Sequence, residues 1–164
     1  MNTGHARNQN SANLINDYFN VRQQGLNLAA SLTEADATVQ SMTDASPAKW
    51  HLAHTTWFFE TLILSPEYGA DSVFDPAFAL LFNSYYESLG ARYPRPRRGM
   101  LTQPSLEKVL SYRAHVDNAM GKLLRSGVSA ATEALVALGM HHEQQHQELL
   151  LTDILHLFAQ NPLC

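Results

Sequence analysis

The chain has a single cysteine, Cys164, at its last position, so no disulfide can form within it. Charge is also scarce. Asp, Glu, Lys and Arg make up 16% of the residues, below the roughly one quarter usual for soluble domains, which predicts some surface made to be covered. No apolar run approaches the roughly 18 residues of a membrane span, and no signal-peptide pattern is present, so a cytoplasmic protein is expected. There is no Gly-x-Ser-x-Gly elbow and no glycine-rich phosphate loop, which argues against a serine triad or a P-loop. Strand-like alternation is nearly absent. A net charge of −4 and a pI near 6.0 exclude a broad electrostatic grip on nucleic acid or on an anionic membrane. With 45% hydrophobic residues the chain is not disordered, and 164 residues suit one domain. What the chain has in surplus is histidine. There are eight, against eleven lysines and arginines together, and His51, His54, His141, His142 and His146 fall in two short clusters.

The hydrophobic pattern predicts helices throughout. Residues 1–10 are polar and read as a flexible N-terminal tail. From Ser11, a candidate N-cap, Leu14, Tyr18, Val21, Leu28 and Leu32 recur at helical spacing, giving a helix to about Leu32. Ser46-Pro47 is a start signal for a second helix, expected to end before Pro66. A turn-rich stretch from Tyr68 to Pro76 and a short helix over about Ala77 to Ser88 follow, then an ordered loop from Gly90 to Pro104. The last two helices run from about Ser105 to Arg125 and from Ala130 to Ala159. Four long helices over residues 11–162 make an all-α four-helix bundle the expected architecture.

The last helix carries HHEQQHQE at residues 141–148. His142 and His146 lie one turn apart, so both imidazoles can reach one metal ion without distorting the backbone. The wheel puts Leu135, Leu138, Gly139, Leu149 and Asp153 on their face, which predicts that this face is the buried one. Gln145 sits at its edge, and Asp153, two turns on, can serve as an acceptor behind a ligand. Glu143, Gln144, Gln147 and Glu148 point elsewhere, and His141 is off the face. A third ligand must come from another helix. In the second helix His54 falls within the inward arc of Trp50, Trp57, Phe58 and Thr61, with His51 at its edge and Lys49, Glu60 and Ile63 opposite. Three neutral imidazoles leave coordination positions open, and these donors suit iron, zinc, copper or nickel.

Other features are read first as structure. His5, His115 and His156 are isolated. The aromatic run Phe74, Phe78, Phe82, Tyr85 and Tyr86 is more often packing than a cofactor box. Arg92, Arg95, Arg97 and Arg98 fall within seven positions; they form either a solvated loop or a clamp for substrate carboxylates beside the metal.

Four segments carry a family resemblance: DASPAKWHLAHTTWFFE (44–60), FNSYY (82–86), PRPRRG (94–99) and HHEQQHQE (141–148). From about Leu32 to Pro162 the chain resembles the N-terminal DinB-like domain of ergothioneine-biosynthesis sulfoxide synthases. The resemblance implies a four-helix bundle of the DinB type and a non-haem iron held by His54, His142 and His146, the trio that the wheel also selects. It implies Gln145 beside the substrate, and thiol-substrate carboxylates held by arginines of the 94–99 loop, here taken as Arg95 and Arg97. The reaction implied uses oxygen to join a thiol to the imidazole of hercynine as a sulfoxide. In that family a C-terminal domain resembling formylglycine-generating enzymes follows and supplies the catalytic tyrosine; this chain stops at Cys164, so the isolated chain is expected to be incomplete as an enzyme. Fe(II) is the expected ion, with zinc or nickel as alternatives. The expected partners are a small-molecule thiol and a hercynine-like substrate, with neither nucleic acid nor membrane. Two other readings stay open: a stand-alone DinB-type thiol transferase, a class that often forms homodimers, and a non-catalytic interaction module.

Overall fold

The computed structural model describes residues 3–69, 72–84, 91–160 and 162–163, with side chains from Ala12 onward. Its elements are α1 (Thr3–Ala29), α2 (Glu34–Thr38), α3 (Ala48–Phe59), a π-helical turn (Glu60–Leu64), α4 (Ser65–Tyr68), α5 (Phe78–Phe82), a 3₁₀ helix (Arg95–Met100), α6 (Leu106–Ser126) and α7 (Ala130–Ala159). No strand occurs among the described residues.

Capping explains where the last two long helices begin. Ser105 Oγ accepts the Lys108 amide before α6, and Ser129 Oγ accepts the Thr132 amide before α7. Gly127, at φ +84°, ends α6 in a conformation that residues with a Cβ rarely adopt. The first helix differs from expectation. It starts at Thr3 rather than Ser11, so residues 3–10 of the segment read as a tail are helical. No proline follows Met1 to break the turns, and a serine inside a helix costs only a few tenths of a kcal/mol.

Pro66 does not stop the second helical segment either. The backbone widens into the π-helical turn, in which the Ser65 amide donates to the Glu60 carbonyl, and then continues as α4 to Tyr68. A wider turn leaves room for the proline ring, which would otherwise meet the carbonyl four residues earlier. Helix α5 ends at Phe82, short of the expected Ser88; Tyr85 and Tyr86 lie outside the described residues. Phe74, Phe78 and Phe82 pack on one another and on Tyr112, as a packing stripe would.

Helices α1, α3, α6 and α7 form the bundle, with α1 against α7 and α6, and α3 against α6 and α7. Contacts between Ser46 and Asp153, His51 and His146, and Gly139 and Phe59 show that α3 and α7 run antiparallel. Those two approach closely. A Cβ on Gly139 would stand 2.5 Å from the Phe59 ring. Every residue of α3 is buried, and so is the side expected to lie opposite the inward arc: Lys49 binds Glu34 and the Thr102 carbonyl, and Glu60 of the π-helical turn accepts the Tyr112 hydroxyl and the Phe74 amide. A helix surrounded by neighbours must pair its polar side chains internally in this way. Among the described residues, no helix is long and apolar enough to cross a membrane.

Candidate metal centre

Trp50, His54 and Trp57 recur at i, i+4 and i+7 and so share one face of α3. The His54 ring stacks between the two indoles, with ring centroids 4.6 Å from Trp50 and 5.8 Å from Trp57. Its Nδ1–H donates to the Phe82 carbonyl at 2.6 Å, at the last residue of α5. A carbonyl only accepts, so Nδ1 carries the proton and Nε2 is left with its lone pair. Opposite, α7 presents His142 and His146 from consecutive turns. The three rings lie within 4.6 to 4.9 Å of one another, centroid to centroid. Each offers a nitrogen within 4.8 Å of the other two.

Behind His146 stands a second layer. His51 Nε2 lies 2.9 Å from the Asp153 carboxylate, and His51 Nδ1 lies 2.9 Å from His146 Nδ1. Burial pushes the His51 pKa down against the pull of Asp153, so the ring is neutral. With Nε2–H given to Asp153, a neutral His51 accepts at Nδ1. His146 therefore donates from Nδ1 and keeps its Nε2 lone pair. Asp153 also accepts the Ser46 amide at 2.8 Å, which ties the layer to the start of α3.

Burial, reinforced by the neighbouring His142 ring, pushes the His54 pKa down to about 3. Burial also lowers those of His142 and His146, the latter further through His54 and His51. Three neutral imidazoles aimed at one point are the protonation state that a metal needs. His142 Nδ1 is buried without a hydrogen-bond partner, and an orphaned polar atom of that kind is costly unless something binds there. The donor set therefore fits a metal ion. It discriminates poorly among iron, zinc, copper and nickel.

The trio opens on a cavity of about 350 Å³, lined also by Trp50, Ser84, Arg95, Arg98, Gln145 and Leu149. Gln145 and Arg95 thus border the site; Arg95 also donates to the Asp44 carbonyl. Arg97 does not border it. Its side chain is exposed, and Arg98 faces inward instead. The loop is a 3₁₀ helix with three residues per turn, which puts Arg95 and Arg98, not Arg97, on one side. Arg98 lies over the Trp50 ring at 3.3 Å and donates to the hydroxyls of Ser46 and Ser84. A second cavity of about 470 Å³ shares Ser84, Arg95 and Arg98 and adds Arg92.

The predicted inward face of α7 was rotated from the observed one. Gly139 is buried and Leu135 packs on the core as expected, but Leu138 and Leu149 are 54% and 40% exposed, whereas Val136, Glu143 and Leu150 are buried. The helix meets α1 as well as α3, so a residue off the histidine face can still be inside. Glu143, expected to point away, sits among charged groups in the bundle interior. His115 and His156 make single polar contacts, with the Ser72 carbonyl and the Ser41 hydroxyl.

Residues 20–150 match the DinB superfamily, and the chain belongs to that superfamily. No curated protein matches the chain closely enough to serve as a named relative.

Proposed function

We propose that this DinB domain holds a non-haem iron through His54, His142 and His146, and that it is the metal-bearing half of an oxygen-dependent sulfoxide synthase joining a thiol to hercynine. The observation that carries the metal reading is the convergence of three neutral histidine nitrogens within 4.8 Å. Support for the finer reading comes from the resemblance over residues 44–60, 82–86, 94–99 and 141–148, and from the polar cavity beside the trio. Bound iron would supply open coordination positions and one-electron chemistry toward oxygen.

The chain's own groups have separable tasks. Arg95 and Arg98 offer guanidinium donors suited to a carboxylate on the thiol substrate. Gln145 offers an amide at the rim for orienting that substrate. Trp50 and Leu149 give the cavity beside the trio its apolar lining. The Asp153–His51 pair holds the proton on His146 Nδ1 and keeps the ring's lone pair turned to the ion.

Anaerobic Fe(II) loading tests the reading. Near-stoichiometric iron is expected in the wild-type chain and little in His146→Ala. Equal and negligible iron in both overturns it. A stand-alone thiol transferase using zinc or nickel is the second reading, favoured by a three-histidine donor set that suits those ions as well as iron. Turnover of a thiol substrate by the isolated zinc-loaded or nickel-loaded chain, with none under Fe(II) and oxygen, would decide for it.

A further inference from the structure

Glu143 lies between the two α7 ligands in sequence and is 2% exposed. Its carboxylate receives Arg22 Nη1 of α1 at 2.7 Å and Arg113 Nη2 of α6. Arg22 reaches on to Asp117 at 2.6 Å and to Thr56 Oγ1 of α3 at 2.9 Å, and Arg113 donates to the Arg22 carbonyl. All four bundle helices therefore meet at one ion cluster, at the level of the histidine trio. Both arginines are 1% exposed.

We propose that Glu143, clasped by Arg22 and Arg113, is a positioning residue that sets the rotation of α7 and so aims His142 and His146 into the site. The inference rests on the metal reading. Leucine burial sets that rotation only weakly, because α7 is apolar on several sides and Leu138, Leu149, Leu151 and Leu155 all remain at least 40% exposed. The close approach of Gly139 to Phe59 resists turning near the start of the ligand segment, and the ion cluster adds a directional hold between the two ligands themselves. Hydrophobic burial is non-directional. A buried carboxylate held by two guanidiniums is directional, and leaving it unpaired is expensive. Glu143 stands about 100° from His142 and about 60° from His146 around the helix. Fixing its azimuth fixes theirs. The neighbouring helix leaves space for this: a Cβ on Gly25 would stand 3.0 Å from Glu143 Oε1 and 3.1 Å from Arg113 Nη2.

Cobalt(II) titration, read by its visible absorption band, separates positioning from mere support when paired with thermal unfolding of the metal-free chain. The triple variant Arg22→Met/Arg113→Met/Glu143→Leu replaces the cluster by apolar side chains. It is expected to unfold cooperatively, somewhat earlier than wild type because Asp117 loses Arg22, yet to bind cobalt at least about ten-fold more weakly and with a changed band shape. Asp117→Asn loosens Arg22 without touching α7; it should lower the unfolding midpoint and leave cobalt affinity within about two-fold. A folded triple variant with wild-type affinity overturns the proposal, as does Asp117→Asn weakening cobalt as much as the triple does. Should the triple variant not fold, Gly25→Ala decides. It raises helix propensity in α1 while its methyl crowds the Glu143 carboxylate and the Arg113 guanidinium, so severalfold weaker cobalt with a midpoint no lower than that of Asp117→Asn is expected, and unchanged affinity overturns the inference. Absence of cobalt and iron binding in the wild-type chain would instead sink the metal reading itself, and this inference with it.

Discussion

His51 and His146 face each other through their Nδ1 atoms at 2.9 Å, and Asp153 takes the far side of His51 at the same distance. Two neutral imidazoles can share that contact only if one donates. The Asp153 carboxylate decides which, by claiming the proton on His51 Nε2. Asp153→Asn loses that preference, because an amide offers the ring a donor as readily as an acceptor. Metal affinity is expected to fall about ten- to hundred-fold with a small change in stability, measured by competition with a chelator of known affinity. Wild-type affinity in Asp153→Asn would refute the ordering of the protons.

Arg98 and Arg97 are neighbours with opposite expectations. Arg98 is buried, lies 3.3 Å over Trp50 and bonds two serine hydroxyls. Arg98→Ala should cost about 2–4 kcal/mol in urea unfolding through lost packing and unpaired hydroxyls. Arg97→Ala, at an exposed position, should stay within about 0.5 kcal/mol of wild type.

Gly139 allows α7 to approach α3. A methyl there would stand 2.5 Å from Phe59 Cε1 and 2.9 Å from Phe58 Cε1. Gly139→Ala gains helix propensity of about 1 kcal/mol, but the overpacking should outweigh it, for a net loss of about 1–3 kcal/mol. An unfolding midpoint at or above wild type would show that the rings move aside freely.

The metal-free chain should lose stability on mild acidification. His54 titrates at about 3 in the fold and at 6.5 without burial, so below pH 6.5 the unfolded chain binds a proton that the native chain does not. Stability therefore falls as pH drops from 6.5 toward 3, by up to about 1.4 kcal/mol per pH unit for this one group. His54→Gln should show a shallower slope over that window in urea titrations at fixed pH values. An equal slope in both proteins would show that His54 is not protonated on unfolding.

Local chemistry made much of this molecule legible in advance. Helices α6 (Leu106–Ser126) and α7 (Ala130–Ala159) keep within a residue of the bounds expected from their hydrophobic pattern. The trio His54, His142 and His146 could be read because i, i+4 spacing is a property of one helix, and because the Trp50–Trp57 arc marks which way α3 must turn. The N-terminal start and the passage through Pro66 could not, since a strong local signal there competes with helix propagation and with a widened turn.

What a single helix imposes on its own residues was therefore set by the order of amino acids: the long helices and the pairing of ligands one turn apart, though not the caps, since neither Ser11 nor Ser46 caps a helix. The choice of Arg98 over Arg97, the burial of Glu143, and the His51–Asp153 pair as support for His146 depended on how helices pack. A wheel assigns one inward face, whereas α7 is covered by α1 as well as α3, and α3 is enclosed all round. Azimuth relative to several neighbours is a property of the assembled bundle, and in α7 a buried ion cluster, more than its scattered leucines, specifies it.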